Sequence, residues 1–139
     1  MNLGGPPREW ADARLKVEAE GCCRKCDRVL PPDRLEFDHV IGRQYDDPMT
    51  CGTCKGSRRR LAGAGPCTVC KGSGLSRTLY VDPDSGIPLC NSCHRAKHRG
   101  EFDLLPLLTL AEQLYCVRKL EGLEKARVVL APSAYREAA

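Results

Sequence analysis

Trp10, Leu15 and Val17 sit among Arg8, Glu9, Asp12, Arg14 and Lys16, which predicts a short amphipathic helix over residues 8–20, ending before Gly21. After a turn at Pro31-Pro32-Asp33, Leu35 and Phe37 alternate with charged residues, as in a half-buried strand running into Asp38-His39. Thr78 to Val81 reads as another strand and Asp82-Pro83-Asp84-Ser85-Gly86 as a turn, with Ile87-Pro88-Leu89 leading on. Neither Pro nor Gly occurs between Asn91 and Arg99, which predicts a helix from Asn91 to about His98. Leu107, Leu110, Ala111, Leu114, Val117, Leu120 and Leu123 recur at three- and four-residue spacing, predicting one long helix from about Pro106 to Leu130, with Gly122 as its weak point. That helix is expected to pack on its own domain, and its long apolar stripe also offers a homodimer seam. The tail from Pro132 is expected to fray. Short strands and separate helices imply a small α+β fold.

Composition says what must hold such a fold together. With 139 residues the chain suits one modest domain and excludes a large multi-domain enzyme. Aromatics are only 5%, while 13 Gly and 10 Pro are present, so the apolar core is thin. Ten cysteines supply the alternatives, disulfides or metal. Met1 to Pro7 is polar and turn-prone, and no apolar run has the length of an export signal or a membrane span. A cytoplasmic location without membrane attachment is therefore expected, where thiols stay reduced, and metal is the better explanation.

The cysteine spacing makes the same case. Cys23/Cys26, Cys51/Cys54, Cys67/Cys70 and Cys90/Cys93 are all C-x-x-C pairs, and two such knuckles close one tetrahedral zinc site. Cys51/Cys54 and Cys67/Cys70 are each followed by Lys-Gly-Ser, an internal duplication that suggests the two share one ion. Cys23/Cys26 and Cys90/Cys93 would then share the other, giving a metal-stabilised fold with two structural Zn²⁺. The nested arrangement divides the chain into an N-terminal helix (1–21), a core in two parts (22–47 and 79–100), an inserted zinc module (48–78) and a C-terminal helical segment and tail (101–139). The sequential alternative pairs Cys23/Cys26 with Cys51/Cys54 and Cys67/Cys70 with Cys90/Cys93. Cys22 could replace Cys23 at a less usual spacing, and Cys116 reads as a small buried hydrophobe.

Charge adds a location for a partner. The formal net charge of +4 falls to zero once eight thiolates and two dications are counted, so the total says little about nucleic acid. From Pro48 to Val81, however, there is no acidic residue, while Lys55, Arg58, Arg59, Arg60, Lys71 and Arg77 are basic. A solvated face is the plain reading of Arg58-Arg59-Arg60; within an acid-free zinc module, contact with a nucleic-acid backbone is the sharper one.

All three histidines fall near the outer zinc. His94 and His98 are four apart on a predicted helix and so share a face. If Cys23/Cys26 meet Cys90/Cys93, Asp38-His39 comes close to that helix. One carboxylate and two imidazoles then surround a position suited to a divalent metal with open coordination sites, with His39 beside it. Alternatively, His94 and His98 are structural zinc ligands next to Cys90 and Cys93, although the adjacent Cys93 and His94 would strain to reach one ion.

Cys23-x-x-Cys26, Asp38-His39-Val40-Ile41-Gly42-Arg43, Leu89-Cys90-Asn91-Ser92-Cys93-His94 and Lys97 together resemble the HNH endonucleases, with the resemblance interrupted by the inserted module. It implies a ββα-metal core carrying that module and flanking helices, and metal-dependent hydrolysis of DNA, by nicking or by double-strand cleavage. Asp38 and His94 would hold the catalytic metal (Mg²⁺, Mn²⁺ or Ni²⁺), His98 would match an additional ligand found in some members, and His39 would be the general base. Arg43, Arg95 and Arg99 would be phosphate contacts near the site. Ser85 stands where the family usually has the loop-holding Asn, and Asn91 is the nearest asparagine to that position. The stretch from Cys67 to Gly74, Cys-x-x-Cys-Lys-Gly-Ser-Gly, resembles the cysteine-rich repeats of J-domain chaperones in its knuckle and turn. The alternative function is a non-catalytic zinc module that binds nucleic acid or serves as an adaptor.

Overall fold

The computed structural model describes residues 7–60, 63 and 65–130, so the tail expected from Pro132 lies outside the described residues. A 3-10 turn at Arg8–Trp10 leads into helix α1 (Ala11–Glu20), which closes on Gly21 in the left-handed conformation (φ 65°), its N–H donating to the Val17 carbonyl at 3.0 Å. The buried face of α1 is Ala13 and Val17, both fully enclosed, whereas Leu15 is exposed. The expectation for Leu15 is therefore corrected: Ala13, one turn before Val17, is small enough for the helix to sit close against the sheet beneath it.

That sheet is one antiparallel pair, β1 (Leu35–His39) with β4 (Gly86–Cys90), in the register Leu35 opposite Cys90, Phe37 opposite Pro88 and His39 opposite Gly86. Gly86 is required by close approach, since a Cβ there would lie 2.4 Å from the Asp38 carbonyl and 2.7 Å from the Phe37 ring. Every residue of β4 is buried, and helix α2 (Asn91–His98) follows it directly. A second antiparallel pair, β2 (Pro48–Thr50) with β3 (Leu75–Leu79), forms the neck of the inserted segment. The strand expected at Thr78–Val81 thus starts and ends earlier. Val81 leaves the pairing because it is fully buried in the main core, its N–H donating to the Glu9 carbonyl at 3.0 Å.

The long C-terminal helix is two helices, α3 (Leu110–Leu120) and α4 (Leu123–Leu130). It begins late because Pro106 belongs to a 3-10 turn and Thr109 caps α3 in a capping box with Glu112. It breaks because Glu121 turns left-handed (φ 61°) and Gly122 adopts φ 154°. The break folds α4 back, so that Ala126 and Leu130 are buried and the Leu130 carbonyl accepts the Leu104 N–H at 3.1 Å.

One apolar cluster joins α1, β1, β4, α3 and α4, with Ile87, Leu89, Val17, Val81 and Leu120 at its centre and Cys116 buried as expected. Among the described residues the inserted segment adds no aliphatic side chain to a core of its own; its buried cluster is Cys51, Cys54 and Cys67, with Cys70 packed against them. Among the described residues no helix is long and apolar enough to cross a membrane.

Candidate metal centres and the cleft beside them

The fold brings the cysteines together in the nested arrangement. The ligand atoms of Cys23, Cys26, Cys90 and Cys93 lie within 4.8 Å of one another, as do those of Cys51, Cys54, Cys67 and Cys70. All are free thiols, as is Cys22, which lies outside both groups and bridges across to Val29. Burial pushes the Cys23 thiol up, but the N–H groups of Cys26, Cys90 and Lys25 outweigh it and bring it down to about 7. Cys70 is likewise opposed by burial and drawn down to about 6 by the Gly74 N–H, which donates to its sulfur at 3.2 Å, and by its neighbouring thiols. Burial and the crowded sulfurs of Cys90 and Cys23 raise Cys93 instead. Four thiolates at this spacing need a dication between them, and both donor sets fit tetrahedral Zn²⁺.

The outer cluster fixes α2 to the sheet. Cys90 ends β4, Cys93 lies in the first turn of α2, and the 23–26 knuckle is held to β4 by the Arg24 N–H on the Pro88 carbonyl at 2.9 Å. The face of α2 turned toward β1 then carries His94 and His98, whose ring centroids are 4.4 Å apart, over the face of β1 that presents Glu36 and Asp38. Asp38, His94 and His98 each offer a ligand atom within 4.8 Å of the others. Asp38 is buried; its Oδ1 accepts Lys97 Nζ at 2.6 Å, and its Oδ2 accepts His94 Nδ1. Lys97 also donates to the His39 carbonyl. One carboxylate oxygen and two imidazoles suit a divalent ion that keeps open positions.

His39 points to the opposite face of β1, as alternation requires, and packs edge-on to Phe37 and Trp10. It still lines, with Asp38, Gly42, His94, Lys97 and His98, an open cleft of about 440 Å³. Burial holds its pKa below the ordinary imidazole value, against the opposing pull of Asp46. Ser85 is fully buried: its hydroxyl donates to the Asp82 carbonyl at 2.7 Å, and its carbonyl accepts the Val40 N–H at 2.9 Å. A serine thus holds the turn against the residue after His39, while Asn91 is exposed at the start of α2.

The arginines divide. Arg58, Arg59 and Arg60 are exposed on the loop between the inner knuckles, and Arg95 is exposed on α2. Arg99 is paired with Glu101 at 2.7 Å, and Arg43 with Asp46 at 3.2 Å while its guanidinium lies 5.3 Å from the Trp10 ring. Sequence reading missed Glu36, whose carboxylate is 3.2 Å from His94 Nδ1, although its two-residue offset from Asp38 was the signal. It also missed Asp46, brought back to His39 by the 3-10 turn Arg43–Tyr45, for which the sequence carries no signal.

Comparison with known proteins adds one similarity. The chaperone protein DnaJ of Hydrogenobacter thermophilus is 32% identical over 85 residues, covering 54% of this chain and 24% of that protein. The chain therefore spans about a quarter of that relative's length. No family model matches, and no solved structure matches. The similarity accords with a zinc-binding, cysteine-rich region built on C-x-x-C-Lys-Gly-Ser repeats.

Proposed function

We propose that this protein is a metal-dependent DNA endonuclease of the HNH type, with a ββα-metal core formed by β1, β4 and α2. The observation that carries this reading is the meeting of Asp38, His94 and His98 in one cleft with His39. A divalent ion held by those three ligands (Mg²⁺, Mn²⁺ or Ni²⁺) would neutralise charge on the scissile phosphate and on the leaving 3′-oxygen. His39, kept neutral by burial, takes a proton from water, whose oxygen attacks phosphorus. The P–O3′ bond breaks and the departing 3′-oxygen takes a proton from solvent water, leaving a 5′-phosphate and a 3′-hydroxyl. Lys97 holds Asp38 by Oδ1 and leaves Oδ2 turned toward the histidines. Arg58–Arg60 and Arg95 are exposed and hold no ion pair among the described residues, so they can meet DNA phosphates, whereas Arg43 and Arg99 must first release a carboxylate. The exposed Leu110 and Leu114 of α3 are what supports a homodimer.

A plasmid-nicking assay with Mg²⁺ or Mn²⁺ tests the reading. Wild type should nick, and His39→Ala should lose at least about 100-fold in rate. Absence of nicking in every metal, or equal rates for the two proteins, refutes it. The second reading is a non-catalytic zinc module that binds nucleic acid or a protein. It is favoured by the similarity to DnaJ and by the exposed, acid-free insert, and it expects DNA retention without cleavage.

A further inference from the structure

His39 Nε2 is the buried side-chain nitrogen or oxygen left without a hydrogen-bond partner among the described residues. Such an atom calls for an explanation, because a buried polar group without a partner is costly. The nearest candidate is Asp46, whose Oδ2 lies 3.4 Å away and whose side chain is 1% exposed. That separation is roughly 0.5 Å beyond an ordinary N–H···O bond. The other partner of the same oxygen is Arg43 Nε at 3.2 Å, from a side chain that remains 45% exposed.

The surroundings leave the ring little freedom. Trp10 and Phe37 meet it edge-on, with centroids 5.5 and 5.4 Å away, and the Val40 N–H on the Ser85 carbonyl pins the backbone beyond it. The 3-10 turn that follows is closed by the Asp46 N–H on the Arg43 carbonyl at 2.9 Å, which sets the carboxylate against the imidazole. A bare Nε2 would turn its lone pair toward a carboxylate lone pair in a site largely closed to water, a repulsive arrangement. An Nε2–H turns the same contact into a charge-assisted bond. Nδ1 has no hydrogen-bond partner among the described residues, and His39 lines the cleft, so Nδ1 is the nitrogen assigned to it.

We propose that Asp46 is the positioning residue of His39: its buried carboxylate holds the imidazole as the Nε2–H tautomer and leaves Nδ1 facing the cleft as the proton acceptor. The first half stands on geometry alone; the role of Nδ1 rests on the endonuclease reading above. The proton taken from water goes to Nδ1, and Asp46 stays a carboxylate facing the resulting imidazolium.

The test is ¹⁵N–¹H correlation of the imidazoles in zinc-loaded protein with Mg²⁺ at pH 7.5, with the three histidines assigned through His94→Ala and His98→Ala. Wild-type His39 should show the Nε2–H pattern. Asp46→Asn, which offers an amide donor to Nε2, should convert it to Nδ1–H and lower nicking by about 100-fold or more. Asp47→Asn, at the exposed neighbouring carboxylate, should change neither. An Nδ1–H tautomer in wild type overturns the proposal without need of a variant, as does an unchanged tautomer in folded Asp46→Asn. A tautomer that switches as expected in a protein that never nicks DNA upholds the Asp46 assignment and removes the endonuclease reading.

Discussion

Glu112 is a buried charge held from several elements at once. It is 1% exposed, yet it accepts from Lys16 and from Arg24 Nη1 at 2.7 Å, and it closes the capping box of α3 through the Thr109 N–H at 2.7 Å. Lys16 continues to the Pro83 and Gly86 carbonyls, and Arg24 to Glu20 and the Leu107 carbonyl. One carboxylate therefore ties α1, the outer knuckle, the turn before β4 and the start of α3. Burial pushes its pKa up, but the bonds from Arg24 and Lys16 prevail and hold it at about 2, against an ordinary 4.5. A depressed carboxyl pKa adds stability that is full above the unfolded value of 4.5 and is lost as pH falls through about 2. At neutral pH the shift corresponds to about 3 kcal/mol. Denaturant melts of Glu112→Gln at pH 7 should show a loss of about 2–3 kcal/mol, shrinking as the pH is lowered below 4.5. A constant difference across that range would show that the charge is not what matters. The Thr109-x-x-Glu112 capping pattern is visible in the sequence, but its partners Lys16 and Arg24 lie 96 and 88 residues away and are not.

At the scale of elements, β1 and β4 set how closely the strand carrying Asp38 meets its partner. Gly86 faces His39 across the pair, where any side chain would press on the Asp38 carbonyl and the Phe37 ring. Gly86→Ala should cost about 1–3 kcal/mol and, on the proposed reading of Asp38 as a metal ligand, weaken Mn²⁺ binding there, because the strand that aims Asp38 must shift. Calorimetric titration of Mn²⁺ together with thermal melts would check both. An unaltered melting temperature would mean that the pair relaxes freely. The bounds of β1 and α2 were legible because short-range signals set them: alternation ending at His39, and a run free of Pro and Gly that starts directly after Cys90. Of the break between α3 and α4 only the place was legible, at the weak point Gly122; that it breaks was not, since apolar spacing continues across it. It is decided by what Leu130 and Ala126 gain by folding back against the rest of the core.

For the whole molecule, the two zinc clusters do different work. The outer one clamps a region that already has an apolar core, whereas among the described residues of the insert the buried side-chain cluster is the inner cysteines themselves. Protein purified with its metal should hold about two zinc ions per chain, with one ion contradicting the two-cluster arrangement. On graded chelation, amides around Cys51–Cys54 and Cys67–Cys70 should lose hydrogen-exchange protection before those of Ile87, Leu89 and Leu120. Simultaneous loss would mean that the insert and the main core unfold as one unit.

Local chemistry was enough, from the sequence alone, to assign the cysteines to metal. C-x-x-C spacing and the repeated Lys-Gly-Ser are short-range patterns, and they already favoured the nested pairs that the fold brings together. The same short range put His94 and His98 on one face of α2. Which face of β1 meets them, and so the company of Asp38, Lys97 and Glu36, is set by strand alternation and the outer cysteine clamp acting together. Only the tertiary structure could place Asp46 against His39 and Glu112 between Lys16 and Arg24. Those contacts join segments whose sequence separation carries no pattern, and they form because buried charges must find partners once the core has closed.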